Sequence, residues 1–122
     1  RPVFLDLRVL SRHLPIPGIV SIMHRISGVL LFFALPALLA LLHGSLSSGD
    51  TFATYKAWGG NPLIKLMLWG LLWGFMHHLC AGIRFLLIDA DKGVQLQPAR
   101  KSAKAVLVCG FVSALILGVA LW

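Results

Sequence analysis

The sequence predicts an all-α integral membrane protein built from three transmembrane helices. Of its 122 residues, 58% are hydrophobic and 12% charged, far from the roughly 45–50% apolar and ~25% charged of a soluble domain. Three stretches contain no Asp, Glu, Lys or Arg: Ile26 to Gly49, Leu66 to Ile83 and Ala105 to Trp122. Each reaches the roughly 18 apolar residues that suggest a spanning helix. The basic residues are also segregated. Arg1, Arg8, Arg12 and Arg25 flank the first stretch, and Arg84, Lys92, Arg100, Lys101 and Lys104 lie between the second and third, whereas the opposite side has Lys56 and Lys65. That positive-inside bias predicts a cytoplasmic N-terminus and a periplasmic C-terminus. It also explains the net charge of +7 as topology rather than nucleic-acid binding.

The elements follow in order within one membrane-anchor domain, residues 1–122. Residues 1–18 form a polar lead with Pro15, Pro17 and Gly18 before the first helix. Arg1, Asp6, Arg8, Arg12 and two prolines are unlike a signal peptide's apolar core, so none is expected. Such a lead suits docking on a soluble partner. The first span is expected near 19–46, bent at Pro36 and closed by the turn formers of "GSLSSGD" at 44–50. Trp58 suits the outer interface. A second span is expected near 62–88. The segment 89–104, "DADKGVQLQPARKSAK", then supplies an inner loop broken by Gly93 and Pro98, and a third span runs near 103–122. Cys80 and Cys109 form neither CxxC nor CxxCH and read as small buried apolar residues. Three helices alone make little of an aqueous pathway, so the chain is expected to be a subunit of something larger.

Two polar faces interrupt the apolar helices. In "SIMHRISG", residues 21–28, Ser21, His24, Arg25 and Gly28 project within about a 100° sector. Arg25 either snorkels to lipid phosphate or, with His24, pairs with an anion held at membrane depth beside a polar ligand on Ser21. On the second helix Gly70, Gly74, His78 and Gly82 recur every four residues. The stripe is either a small-residue packing seam or a clearing for a flat macrocycle coordinated by His78. His77 points about 100° away, toward the side of Arg84, with no glycine beside it. His24 lies roughly 7 to 8 Å from the inner end of its helix and His78 roughly 9 Å from Arg84, at 1.5 Å per residue. One cofactor could therefore touch both. His43 reads as interfacial, and Asp89 and Asp91 as partners of Arg84 or Lys92. Trp69 and Trp73 read as lipid or helix contacts. No P-loop, GxGxxG, HExxH or nucleophile elbow is present.

"RPVFLDL" at 1–7, "SIMHRISG" at 21–28 and "HHLCAGIR" followed by Asp89 resemble the cytochrome b556 membrane anchors of succinate dehydrogenase, respiratory complex II. The resemblance covers nearly the whole chain. It implies that His78 is an axial ligand of haem b, with the other ligand supplied by a second small anchor subunit. His24 and Arg25 would approach the haem propionates, and Ser21 and Arg25 would line a ubiquinone site. An iron–sulfur subunit and a flavoprotein subunit would dock on the cytoplasmic face of the bacterial inner membrane, and this chain alone would not be an enzyme. Phe85 departs from the pattern, standing where many relatives have a histidine. A fumarate reductase anchor running in reverse, or a non-redox three-helix subunit, are the alternative expectations.

Overall fold

The computed structural model describes residues 6–122; the first five residues of the "RPVFLDL" segment lie outside the described residues. Among the described residues five helices follow one another: α1 (Leu7–His13), α2 (Ile16–Ser47), α3 (Gly49–Trp58), α4 (Pro62–Asp89) and α5 (Leu96–Leu121). Among the described residues, α2, α4 and α5 are the helices long and apolar enough to cross a membrane. At 1.5 Å per residue the shortest of the three spans roughly 39 Å, more than the ~30 Å hydrocarbon core.

Local chemistry sets the boundaries. Asp6 caps α1, its Oδ1 accepting from the Arg8 and Val9 amides at 3.0 and 3.4 Å. Pro15 holds extended backbone before α2, and Pro17 sits in the first turn, where its missing N–H removes no intrahelical bond. Pro36 lies inside α2 without ending it. Ser48 accepts from the Thr51 amide at 3.1 Å and starts α3, while Asn61 accepts from the Leu63 amide at 2.9 Å and starts α4. After α4 the backbone turns through Asp91 at φ 59° and Gly93 at φ 67°, and the Lys92 amide donates back to the Leu87 carbonyl at 2.8 Å.

Several boundaries differ from expectation. The lead contains a short helix, and "GSLSSGD" ends α2 at Ser47 but also opens α3 at Gly49. α5 begins at Leu96, seven residues before the expected span, because Pro98 falls in its first turn and opens the helix rather than breaking the loop.

α4 packs most extensively on α5. α5 buries Val106, Gly110, Ala114 and Gly118, a stripe at four-residue spacing, together with Ala103. A Cβ on Gly110 would stand 3.1 Å from His77 Cα, so the two backbones meet closely there. At one end Trp69 Nε1 donates to the Ala114 carbonyl at 2.9 Å, as a helix contact. At the other, Arg84 Nε donates to Ser102 Oγ at 2.9 Å and Nη2 to the Ala99 carbonyl at 3.3 Å. Arg84 thus finds neutral acceptors on α5 instead of the carboxylates of Asp89 or Asp91, both of which are exposed.

The basic end of α2 joins this pair through Val20, which is fully buried beside Ala81, Ala103 and Val106. The interior is mostly small residues, while Phe32, Phe33, Leu46, Ile116 and Val119 stay exposed. An apolar exterior around a small-residue interior is what lipid as solvent permits.

Candidate functional site

The site lies where α2 crosses α4. The His24 and His78 rings stack with centroids 4.1 Å apart and planes 5° from parallel, so the shared depth counted from the helix ends is realised as direct contact. Each ring is seated by a glycine of the opposite helix. A Cβ on Gly28 would stand 3.0 Å from His78 Cε1, and one on Gly82 would stand 3.7 Å from His24 Nε2. Phe85 also packs against His24, with centroids 5.1 Å apart and planes tilted by 53°. Apolar Phe85 therefore packs against His24 and lies beneath the Arg84 guanidinium, 5.7 Å from the ring centroid.

Hydrogen bonding fixes which nitrogen of His78 is available. Nδ1 lies 3.1 Å from the His24 carbonyl and 3.1 Å from Ser27 Oγ. A carbonyl oxygen only accepts, so Nδ1 carries the proton. Ser27 completes the arrangement by donating its own proton to the same carbonyl at 2.9 Å. Nε2 is left unprotonated, with its lone pair directed away from the tether, the state in which imidazole binds a metal. His78 is half-buried and borders an open groove with Leu79, Gly82, Ile83 and Leu86. One turn along the helix, a Cβ at Gly74 would meet nothing within 4 Å. A single oriented imidazole with clear space along its helix fits one axial position of a macrocycle. Among the described residues, no three His, Cys, Asp or Glu side chains gather into a cage for a bare ion.

His77 is placed differently, inside the α4–α5 contact. It is 2% exposed, faces α5 at Gly110, and neither ring nitrogen has a hydrogen-bond partner among the described residues. His43 is exposed, and His13 Nδ1 donates to the Val9 carbonyl within its own helix at 2.8 Å.

Ser21 and Arg25 share the α2 stretch but make no described contact with His78. The hydroxyls of Ser11, Ser27, Ser45, Ser47, Ser102 and Ser113 each donate to a carbonyl one turn back. Half-buried Ser21 makes no such bond among the described residues, so its hydroxyl is uncommitted. The Arg25 guanidinium is exposed and has no partner among the described residues. Ser27 was not singled out by sequence, although it lies in "SIMHRISG" one turn after His24 and on the same face. The four-residue stripe on α5 also escaped, because small residues on an apolar helix give no contrast of polarity.

Comparison with known proteins agrees with this architecture. Residues 1–117 match the family described as succinate dehydrogenase/fumarate reductase transmembrane subunit. The succinate dehydrogenase cytochrome b556 subunit of Coxiella burnetii is 38% identical over 123 residues, covering 100% of this chain and 97% of the relative. Proteins of the same name from Paracoccus denitrificans and Rickettsia felis are 32% and 33% identical, over 95% and 87% of this chain and 88% and 82% of theirs. With three spanning helices, and similarity along nearly its full length, the chain belongs to the succinate dehydrogenase/fumarate reductase transmembrane-subunit family.

Proposed function

We propose that this chain is the haem b- and quinone-binding membrane anchor of a succinate dehydrogenase, and that His78 is a haem axial ligand. The observation that carries this reading is the tether on His78. With Nδ1 donating to the His24 carbonyl beside Ser27, the ring is oriented and Nε2 carries the lone pair. Gly28 supports the same reading, because any side chain there would press on the ring. A b-type haem in this position supplies a one-electron carrier next to the quinone.

The chain's own residues then position ligands. Arg25 sits next to His24 in sequence, with a guanidinium that no described residue occupies, and is suited to an anionic propionate or to charge developing on a quinone oxygen. Ser21, one turn before His24, offers its unspent hydroxyl to a quinone carbonyl. Neither residue forms a covalent bond to the substrate, so the contribution is orientation and electrostatics. Succinate would be oxidised to fumarate on a flavoprotein subunit. The two electrons would pass through an iron–sulfur subunit, and ubiquinone would take them up with two protons. Those subunits would dock on the cytoplasmic side of the bacterial inner membrane, at the lead and the connection between α4 and α5. A second small anchor would supply the other axial ligand. The uneven distribution of arginine and lysine supports that orientation.

His78→Leu in the assembled complex is expected to abolish or alter the reduced b-type spectrum, and an unchanged spectrum would remove His78 from the role. Arg25→Leu is expected to impair quinone reduction more than succinate oxidation by an artificial acceptor. Equal loss of both would assign Arg25 to assembly instead.

A further inference from the structure

α5 has two unlike sides. Ala103, Val106, Gly110 and Ala114 are buried in the bundle. At 100° per residue, Lys101, Lys104, Val108, Val112 and Val119 project within about 80° of one another on the opposite side, with Arg100 about 40° from Lys104. All six are exposed. Three cations therefore stand in line with an apolar strip, on the side of the helix turned away from its packed face.

Nothing on the helix answers this charge, because α5 contains no Asp or Glu. Lys101 and Lys104 stand one turn apart, as do Arg100 and Lys104, and like charges at that spacing destabilise a bare helix. An anion lying between them removes the repulsion. Height selects the kind of anion. The charge-free run of α5 starts at Ala105, so Lys104 marks the hydrocarbon edge, and Lys101 and Arg100 lie roughly 4.5 and 6 Å beyond it. The headgroup layer on each side of the ~30 Å hydrocarbon core is about 5–7 Å thick. All three cations thus stand at the level of the lipid phosphates.

We propose that this face of α5 binds an anionic phospholipid, its phosphate drawn to Arg100, Lys101 and Lys104 and its acyl chains lying along Val108, Val112 and Val119. The apolar strip distinguishes a lipid from a soluble subunit. A soluble subunit approaches the helix ends and the turn after α4 from above the membrane plane, whereas these side chains face sideways and continue into hydrocarbon. The cations distinguish an anionic lipid from a zwitterionic one, which covers the valines equally well but leaves the excess positive charge unanswered. This inference is independent of the haem and quinone reading.

The test uses the assembled complex in phosphatidylcholine nanodiscs containing a small share of a lipid probe with a photoactivatable group on its acyl chain, close to the glycerol. One probe has a phosphatidylglycerol headgroup, the other phosphatidylcholine. The phosphatidylglycerol probe is expected to label Val108 on the order of tenfold more than the phosphatidylcholine probe, and the excess is expected to shrink as salt is raised. At equal subunit stoichiometry, Lys104→Gln is expected to lower phosphatidylglycerol labelling of Val108 about fivefold, whereas Lys56→Gln on α3 is expected to leave it unchanged. Equal labelling of Val108 by the two probes in the unaltered complex would overturn the proposal. So would an excess that survives Lys101→Gln combined with Lys104→Gln, or a Val108 that neither probe labels because another subunit covers this face.

Discussion

Replacing Gly28 with alanine tests the geometry of the histidine seat directly. The added Cβ would stand 3.0 Å from His78 Cε1, 3.6 Å from Nδ1 and 4.0 Å from Nε2. Optimal carbon–carbon contact is ~3.5–4.0 Å, so the ring or the helices must give by about 0.5 Å. The ring has little freedom, with His24 stacked on one face at 4.1 Å and Nδ1 tethered at 3.1 Å. Lengthening that tether by ~0.5 Å takes it beyond hydrogen-bonding range. Overpacking of this kind costs about 1–3 kcal/mol, and the lost hydrogen bond adds ~1 kcal/mol. The assay is the reduced-minus-oxidised b-type spectrum per assembled complex, together with thermal dissociation of the subunits. Gly28→Ala is expected to lower haem content and dissociation temperature together. Gly49→Ala, where a Cβ meets nothing within 4 Å, is expected to leave both unchanged. A Gly28→Ala complex with wild-type spectrum and thermal behaviour would refute the view that this glycine seats the His78 ring.

Three further substitutions separate the other interactions. His77→Leu removes two buried nitrogens that have no described partner; it is expected to keep the b-type spectrum and to leave thermal dissociation unchanged or raised, since unsatisfied buried polar groups cost about 1–3 kcal/mol. Ser27→Ala leaves the carbonyl acceptor of His78 Nδ1 in place but removes the hydroxyl; it is expected to weaken haem retention about tenfold, the lower end of effects seen for residues that orient a metal ligand, measured by haem loss to an apo-globin acceptor. Gly110→Val pushes against the backbone of His77, with even a Cβ only 3.1 Å from His77 Cα; it is expected to destabilise α4–α5 packing by about 1–3 kcal/mol, seen as reduced accumulation of the complex in membranes.

How much of this was legible in the sequence depended on polarity contrast. Charge-free runs between basic clusters gave three spans close to α2, α4 and α5, because hydrocarbon excludes charge whatever the neighbouring helices do. His24 and His78 could be placed at one depth because both were counted from charged helix ends. Arg84 was more difficult. An arginine after an apolar run reads as a membrane boundary, yet Ser102 and the Ala99 carbonyl bring it inside the α4–α5 contact. Those acceptors come from the next helix, so spacing within α4 could not reveal them. Pro98 likewise changed meaning with its place in a helical turn, which single-residue breaker logic does not supply. α1 and α3 depend on Asp6 and Ser48 as caps, and both residues also occur in ordinary turns.

The reciprocal seats of His24 and His78 also act as a vernier between α2 and α4. Sliding one helix by a single turn, ~5.4 Å, would put Phe32 or His24 where Gly28 now faces His78, and Leu86 or His78 where Gly82 faces His24. Neither alternative leaves room for a ring, and both take the His24 carbonyl away from Nδ1. A pair of helices inserted out of step therefore has no oriented imidazole to offer. Under the proposed reading of His78, ligand-binding competence would depend on helix height: the oriented imidazole is present only where the two helices stand at this relative height.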